Sequence, residues 1–209
     1  MYLKKEKVEE KKMKILNIHG FASAGENGVY KVLKKNLEND EVITFDVPVN
    51  CSEAIYIINY IVDNYGIDLV VGNSLGGLYA LCLNNKSVRR ILINPCVDPS
   101  SVFGKTVALG RHKFSSPRQN PKEKDFSIDD YFVESVSRFA KDALSNIHPM
   151  TLKNTYIIVG TKDEICTTTK DIVLEKFGED HVTLIEGGKH FLTEEQKEET
   201  IIPLVNKLR

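Results

Sequence analysis

A serine in the first half of the chain lies in a glycine-flanked pentapeptide that is typical of enzymatic nucleophiles. Residues 72–76 read Gly-Asn-Ser-Leu-Gly, which matches the pattern GxSxG with Ser74 at its centre. In this pattern the serine occupies a strained turn between a strand and a helix, so the positions two before and two after it must lack side chains. A serine hydroxyl is a weak nucleophile at neutral pH and needs a base, a group that orients the base, and donors for the oxyanion. Ser74 is therefore predicted to be a nucleophile whose partners lie elsewhere in the chain.

Two later segments supply an acid and a base in the chain order Ser, Asp, His. Asp163 and His190 each follow an apolar segment with the character of a strand. Because the carboxyl ends of parallel strands lie along one edge of a sheet, both side chains can converge on Ser74. His190 would then accept the serine proton, and Asp163 would hold the imidazole tautomer and stabilise its charged form. Asp98 is the rival acid, and either Asp163 or His190 could instead be an ordinary loop residue.

Backbone amides near the end of the first predicted strand could complete this site. The chain turns at His19-Gly20, and the next amide, that of Phe21, is the expected oxyanion donor, with Ala22 as the alternative. Leu75, directly after the serine, supplies the other expected amide. We expect His19 to hydrogen-bond the loop backbone and not to act in acid–base chemistry, and Phe21 to line the substrate pocket.

Short apolar runs alternate with helical patterns over most of the chain. The predicted strands are 14–19, 42–45, 68–71, 90–93, 155–159 and 182–185. The predicted helices include 28–37, 52–65 with Ser52 as its N-cap, one through Leu83, 168–177, and a last helix that opens with a Thr193…Gln196 capping box. Continuously apolar strands joined by helices indicate a mostly parallel sheet covered on both faces. The prediction is a three-layer α/β fold with six strands.

One stretch, 98–152, interrupts this alternation and is predicted to form a small cap or lid. It holds four of the seven prolines and no recognisable strand, and residues 128–144 in it have a helical pattern. Its first half is basic, between Lys105 and Lys124. From these charges we expect Arg111 and Lys113 to bind or steer an anionic substrate, the alternative being a solvated loop.

Composition excludes several other classes of protein. The 209 residues are 42% hydrophobic and 27% charged with a net charge of −1, which predicts no pull toward nucleic acid or a membrane. A charged extension over 1–12 precedes a single predicted domain over 13–209, with no signal-peptide pattern. The four cysteines form no CxxC pair, which favours a reducing cytoplasm. Neither a phosphate-binding loop, nor a dinucleotide fingerprint, nor a metal-ligand motif is complete, so no cofactor and no metal are expected.

The chain resembles the small bacterial α/β-hydrolase esterases of the YqiA/YcfP type from about Lys14 onward. The resemblance rests on the segments LNIHGF, GNSLGGLYA, INPC, GTKDE and GGKHFL. It implies a minimal α/β-hydrolase fold that lacks the first two strands of larger members, carboxylesterase or acyl-thioesterase activity, and no cofactor. It also implies that Ser74, Asp163 and His190 form the triad, with Phe21 and Leu75 as oxyanion donors. The charged extension and the basic stretch depart from the family pattern.

The expected function is cleavage of a small-molecule ester or thioester through an acyl-Ser74 intermediate. A binding or regulatory module that keeps the fold without turnover is one alternative. Acyl transfer or carbon–carbon bond cleavage with the same triad is another. The natural substrate, the acyl-chain length and the oligomeric state cannot be derived from these residues.

Overall fold

The structure, a computed structural model, describes residues 12–209, so the extension predicted over 1–12 lies outside the described residues except for Lys12. The strands are β1 Lys14–Ile18, β2 Glu41–Thr44, β3 Leu69–Asn73, β4 Arg89–Ile93, β5 Gly110–Lys113, β6 Asp125–Ile128, β7 Thr155–Gly160 and β8 Val182–Ile185. The helices are α1 Gly28–Asn36, α2 Cys51–Asn64, α3 Leu75–Leu81, α4 Pro99–Val102, α5 Asp130–Ser145, α6 Pro149–Lys153, α7 Thr169–Phe177 and α8 Glu194–Lys207. Among these residues, no helix combines the length and apolar character needed to cross a membrane.

Six strands form one parallel sheet in the order β2-β1-β3-β4-β7-β8, which confirms the predicted α/β-hydrolase fold. The chain moves outward from β1 to β2 and then returns to place β3 on the other side of β1. Strand order therefore reverses between β1 and β3. In open parallel sheets, ligands bind outside the carboxyl ends of the strands at this kind of switch point.

The sheet separates two apolar layers because successive strand residues point to opposite faces. On one face, strand residues such as Leu16, Val70 and Leu92 pack against α2, α3, α5 and α7. On the other face, Ile15 and Val71 are among the strand residues that pack against α1 and α8. Helices thus cover both faces of the six-stranded sheet, and its strands carry apolar side chains on both sides.

Two helix starts show how local chemistry set the element boundaries. Thr193 caps α8 through its hydroxyl and forms the expected capping box with Gln196. The N-cap of α2, however, is Asn50, whose side chain accepts a hydrogen bond from the Glu53 amide. The prediction of Ser52 as this cap was wrong by two residues, because an asparagine is an equally good cap and stands earlier in the chain.

The stretch 98–152 contains a two-stranded antiparallel hairpin, β5 with β6, where no strand was predicted. The expected helix over 128–144 is present as α5. The hairpin escapes sequence reasoning because few of its side chains are apolar. His112 and Phe126 stack at 5.7 Å between ring centroids, and both pack edge-on against Phe21 in the turn after β1.

Arg118 anchors this excursion to the sheet and is buried. Its guanidinium donates to the carbonyl oxygens of Ser23 and Val47 and pairs with Glu123, while the ring of Phe114 lies 4.4 Å from its central carbon. One of the basic residues in the predicted cap is therefore a structural clamp between the cap and the loops that follow β1 and β2.

Buried Arg90 is predicted to be a larger contributor to stability than its neighbour Arg89. The Arg90 guanidinium donates to the carbonyl oxygens of Ala80, Val88 and Asn85, which close the connection from α3 to β4. Arg90→Met would leave these acceptors unsatisfied and should destabilise the fold by about 2–4 kcal/mol, lowering Tm by roughly 5–15 °C. Thermal unfolding followed by circular dichroism measures the change.

Arg89→Met provides the matched control, since the half-buried Arg89 makes a longer bond of 3.3 Å to the Asp68 carbonyl. We expect a cost below about 1 kcal/mol for that variant. Equal losses of Tm in the two variants would contradict the assignment.

Candidate active site

The turn after β3 holds Ser74 in a conformation that few residues adopt. Its backbone has φ 54° and ψ −119°, outside the regions that residues with side chains favour. A Cβ added at Gly72 would lie 2.5 Å from the Gly76 carbonyl oxygen, and one at Gly76 would lie 2.3 Å from the Ile18 carbonyl oxygen. The two glycines of GxSxG are therefore required by backbone contact, within the turn and against the end of β1.

Hydrogen bonds to neighbouring segments hold this strained turn in place. The Ser74 amide donates to the Ile93 carbonyl at 2.9 Å, and the Ser74 carbonyl accepts from the amides of Cys96 and Gly77 at 3.0 and 2.9 Å. The end of β4 and the loop after it thus fix the serine from both sides. Such multiple restraints allow an unfavourable backbone conformation to persist.

The side chains of Ser74, His190 and Asp163 lie in line at the carboxyl edge of the sheet. His190 Nε2 lies 3.0 Å from Ser74 Oγ, and His190 Nδ1 lies 2.8 Å from Asp163 Oδ2. All three side chains are buried or nearly so, with 8% of Ser74, 3% of His190 and 4% of the Asp163 side chain exposed. This is the geometry of a nucleophile, a base and a group that orients the base.

Asp163 is held as a carboxylate by the donors around it. Burial favours the neutral acid, but the bond from His190 and those from the amides of Cys166 and Ile165 outweigh burial and lower its pKa. Asp98, the rival acid, lies elsewhere: its carboxylate accepts from the hydroxyls of Ser100 and Thr168. The structure brings Asp163, and not Asp98, to the histidine.

The His190 imidazole is tuned toward its charged form. Burial lowers its pKa, but the Asp163 carboxylate and contact with the Cys166 thiol raise it by more, so the pKa lies above the ordinary 6.5. Cys166 itself stays protonated, because its hydrogen bond with Cys96 and its burial raise the pKa of the thiol. Of these neighbours, only the Asp163 carboxylate brings a negative charge to the imidazole at neutral pH.

His19 hydrogen-bonds two backbone groups, which is the role expected from the sequence. Its Nε2 accepts from the Val47 amide at 2.8 Å, so Nδ1 carries the proton and donates to the Gly20 carbonyl at 2.7 Å. Burial lowers the pKa of His19 to about 4. The neutral ring thereby fixes the turn that presents the Phe21 amide. Within residues 12–209, neither that amide nor the Leu75 amide donates to another group of the chain.

A cavity of about 410 Å³ opens at Ser74 and His190. Phe21 and Phe103 form part of its apolar wall, and this size is near the lower end for small-molecule sites. Arg111 and Lys113 do not line it; they lie on exposed β5, where Arg111 pairs with Asp125 at 2.7 Å. The cation from the main domain that does line the cavity is Lys197 of α8.

Asn94 is a site residue that sequence reasoning left without a role. Its amide nitrogen donates to the carbonyl oxygens of Lys189 and His190 at 3.0 and 2.9 Å, and its amide oxygen accepts from the Gly160 amide at 2.8 Å. The side chain therefore ties β4 to β7 and to the histidine loop. The sequence feature that could have indicated a role for Asn94 is its position in INPC, directly after a strand. Its hydrogen-bond partners could not be inferred, because they lie 66 to 96 residues away.

Three side chains of the site also satisfy the distance requirement for a shared metal ion. The donor atoms of Asp163, Cys166 and His190 lie within 4.8 Å of one another. Nδ1 of His190, however, is the atom that donates to Asp163, so a metal bound there would displace the proton that links these two residues. The closeness of these atoms follows from the His190–Asp163 bond together with the contact between the Cys166 thiol and the imidazole.

Asn94 is predicted to position His190 and not only to stabilise the fold. Asn94→Asp keeps the acceptor for Gly160 but sets a carboxylate against two carbonyl oxygens, so the histidine loop should shift. We expect the rate at which a fluorophosphonate labels Ser74 to fall by about tenfold or more, because small displacements of a base are costly. Asn94→Gly tolerates the positive φ of 42° and serves as the second variant. Unchanged labelling in both folded variants would contradict this role.

Comparisons with known proteins agree with this architecture. A variant of tomato methylketone synthase I bound to β-ketoheptanoate superposes with a TM-score of 0.63 at 13% identity, covering 96% of this chain and 99% of that protein. The esterase domain of a Rhodothermus marinus protein gives 0.61 at 16% identity, covering 96% and 88%. The methylesterase MES16 from Arabidopsis gives 0.59 at 13%, covering 93% and 99%. At these identities the likeness establishes the fold. Among curated sequences there is no match.

The sequence profile of one family covers nearly the whole described chain. It is described as an uncharacterised protein family, UPF0227, and it matches residues 14–204, which include every residue of the site. The match confirms the resemblance to small esterases of the YqiA/YcfP type. The chain belongs to the UPF0227 family.

Proposed function

We propose that this protein is a serine hydrolase that cleaves carboxylic esters or acyl thioesters through an acyl-Ser74 intermediate. The observation that carries the proposal is the continuous hydrogen-bonded line from Ser74 Oγ through His190 to Asp163, with spacings of 3.0 and 2.8 Å. It stands at the wall of a cavity large enough for a small ester. A binding module would not require a nucleophile held in a strained turn beside a buried base.

In the acylation step, Ser74 Oγ attacks the carbonyl carbon while its proton passes to His190 Nε2. The imidazolium that forms is stabilised by the Asp163 carboxylate, which the amides of Ile165 and Cys166 hold in place. His190 then gives the proton to the leaving alkoxide or thiolate, and the acyl group stays on Ser74. Water, deprotonated by His190, releases the acid and restores the serine.

The oxyanion of each tetrahedral intermediate would accept hydrogen bonds from the amides of Phe21 and Leu75. Phe21 lines the cavity, Leu75 directly follows the cavity-lining Ser74, and neither amide has an acceptor within the described chain. Donors already fixed in position stabilise the developing charge without reorganising, and one such donor is worth roughly 3–4 kcal/mol in the transition state. The His19 bond to Gly20 keeps the Phe21 amide in position.

The fold neighbours support a hydrolase and also define the main alternative. A Rhodothermus marinus esterase domain and an Arabidopsis methylesterase share this architecture. Tomato methylketone synthase I, which binds β-ketoheptanoate, has the same architecture, and its name indicates a reaction other than ester hydrolysis. Product analysis separates the possibilities. Ester hydrolysis yields an acid and an alcohol, and thioester hydrolysis yields an acid and a thiol. Acyl transfer and carbon–carbon cleavage yield neither of these product pairs.

Replacing the nucleophile gives the direct test. A fluorophosphonate probe should label Ser74 in the wild-type protein, and Ser74→Ala should abolish both labelling and turnover, a loss of at least about 10³-fold. The assay is a panel of acyl esters and acyl thioesters of graded chain length. The size of the cavity predicts that short acyl chains are preferred. Ser100→Ala, which changes a serine whose hydroxyl bonds Asp98 away from His190, is the control. A folded wild-type protein that is neither labelled nor active would refute the proposal.

The pH dependence of turnover follows from the raised pKa of His190. Since only the neutral imidazole accepts the serine proton, kcat/KM should rise with pH through this pKa, with its acid limb above pH 6.5. Asp163→Asn removes the carboxylate that raises the pKa, so the limb should move to lower pH while kcat falls by roughly 10⁴-fold. A pH profile of the variant with an unmoved limb would show that Asp163 does not act on His190.

A further inference from the structure

The cavity at Ser74 has a lining of mixed chemistry. Its apolar wall residues include Val102, Phe103, Val107 and Ile165. Its polar residues include Ser23, Asn27, Ser116 and Lys197. A substrate that reaches Ser74 therefore meets apolar surface together with hydroxyl, amide and ammonium groups.

Lys197 comes from α8 and reaches the cavity beside the first residue of α1. Its ammonium nitrogen lies 3.2 Å from the place that a Cβ on Gly28 would occupy, so the missing side chain at Gly28 makes room for the ammonium. Lys197 is half-buried, and that burial lowers its pKa, with Glu194 one turn earlier opposing the effect. Glu194 itself pairs with Lys35 at 3.0 Å.

The charges around Lys197 are not balanced from within the cavity. In the described part of the chain, Lys197 forms no salt bridge, and no carboxylate lines the cavity. The first turn of α1 also carries no acidic residue. Removing an ammonium from water is unfavourable unless an anion or hydrogen-bond acceptors replace the water.

We propose that Lys197 binds an anionic group of the substrate, so that the preferred substrates are small esters or thioesters bearing a carboxylate or phosphate away from the scissile bond. The inference rests on the proposed hydrolase function and names its substrate class. The sequence led us to expect anion binding at Arg111 and Lys113. The cation that lines the cavity comes instead from α8, whereas Arg111 on β5 pairs with Asp125.

The test compares matched pairs of anionic and neutral esters. Monoethyl glutarate and ethyl pentanoate differ by a carboxylate in place of a methyl group on the acyl side, and the butyrate ester of 3-hydroxypropanoate and propyl butyrate differ in the same way on the alcohol side, so each molecule has one scissile ester. The measured quantity is the ratio of kcat/KM for the charged member to that for the neutral member. Lys197→Met should lower this ratio by about tenfold for the side that contacts Lys197, mainly through KM, and Lys197→Arg should retain most of it.

Lys34→Met, which removes an exposed ammonium at the far end of α1, is the control and should leave the ratio unchanged. A ratio that Lys197→Met does not alter, in a protein that hydrolyses neutral esters and is labelled at Ser74, overturns the Lys197 proposal alone. Loss of labelling and hydrolysis in the wild-type protein overturns the hydrolase function instead.

Binding gives a readout that does not depend on turnover. Calorimetry should show that Ser74→Ala binds one of the two anionic esters, monoethyl glutarate or the butyrate ester of 3-hydroxypropanoate, about tenfold more tightly than Ser74→Ala combined with Lys197→Met. Equal affinities of the two proteins for both anionic esters would overturn the proposal even if no ester is cleaved.

Discussion

At the end of β3 the backbone turns so sharply that Gly72 and Gly76 meet, and the positions of the groups around Ser74 follow from that turn. A serine at φ 54° is strained, by roughly 1–3 kcal/mol for this type of conformation. Bonds to the Ile93 carbonyl and the Cys96 amide hold it there, so the turn requires β3 and β4 to be parallel neighbours. The α/β architecture is thus the means by which a single hydroxyl is presented to a cavity.

The same parallel sheet brings the acid and the base to that hydroxyl. β7 and β8 end at the edge where β3 ends, and the loops that follow them carry Asp163 and His190. Parallel order alone places the loops within reach but does not fix a ring to a few tenths of an ångström. Asn94 supplies that precision, because one side chain bonds the end of β7 and the backbone of the histidine loop at once.

Burial and ion pairing, and not the number of basic residues in a segment, decide which cations face the cavity at this edge of the sheet. The basic part of the stretch 98–152 contributes Arg118 to a buried clamp and Arg111 to an exposed ion pair, so neither faces the cavity. His19 stays neutral because it is buried beside Arg118, which lets it serve the backbone. Lys197, which belongs to none of the motifs that indicated the triad, provides the cation that the cavity carries. The net charge of −1 gave no indication of where these cations lie.

Local sequence patterns predicted the fold class and the six strands of the main sheet. They also indicated that Ser74, Asp163 and His190 could lie close together. Continuous apolar runs and glycines that permit close backbone contact are local properties, so they can be read before folding. The hairpin β5–β6 carries few apolar side chains and so had no strand pattern. The clamp of Arg118, the bonds of Asn94 and the place of Lys197 depended on contacts between segments dozens of residues apart. Such contacts leave no periodic pattern, because a single polar side chain meets its partner only after the sheet has set the distance between them. The sequence therefore determined which chemistry was available, and the tertiary structure decided which charged groups line the cavity.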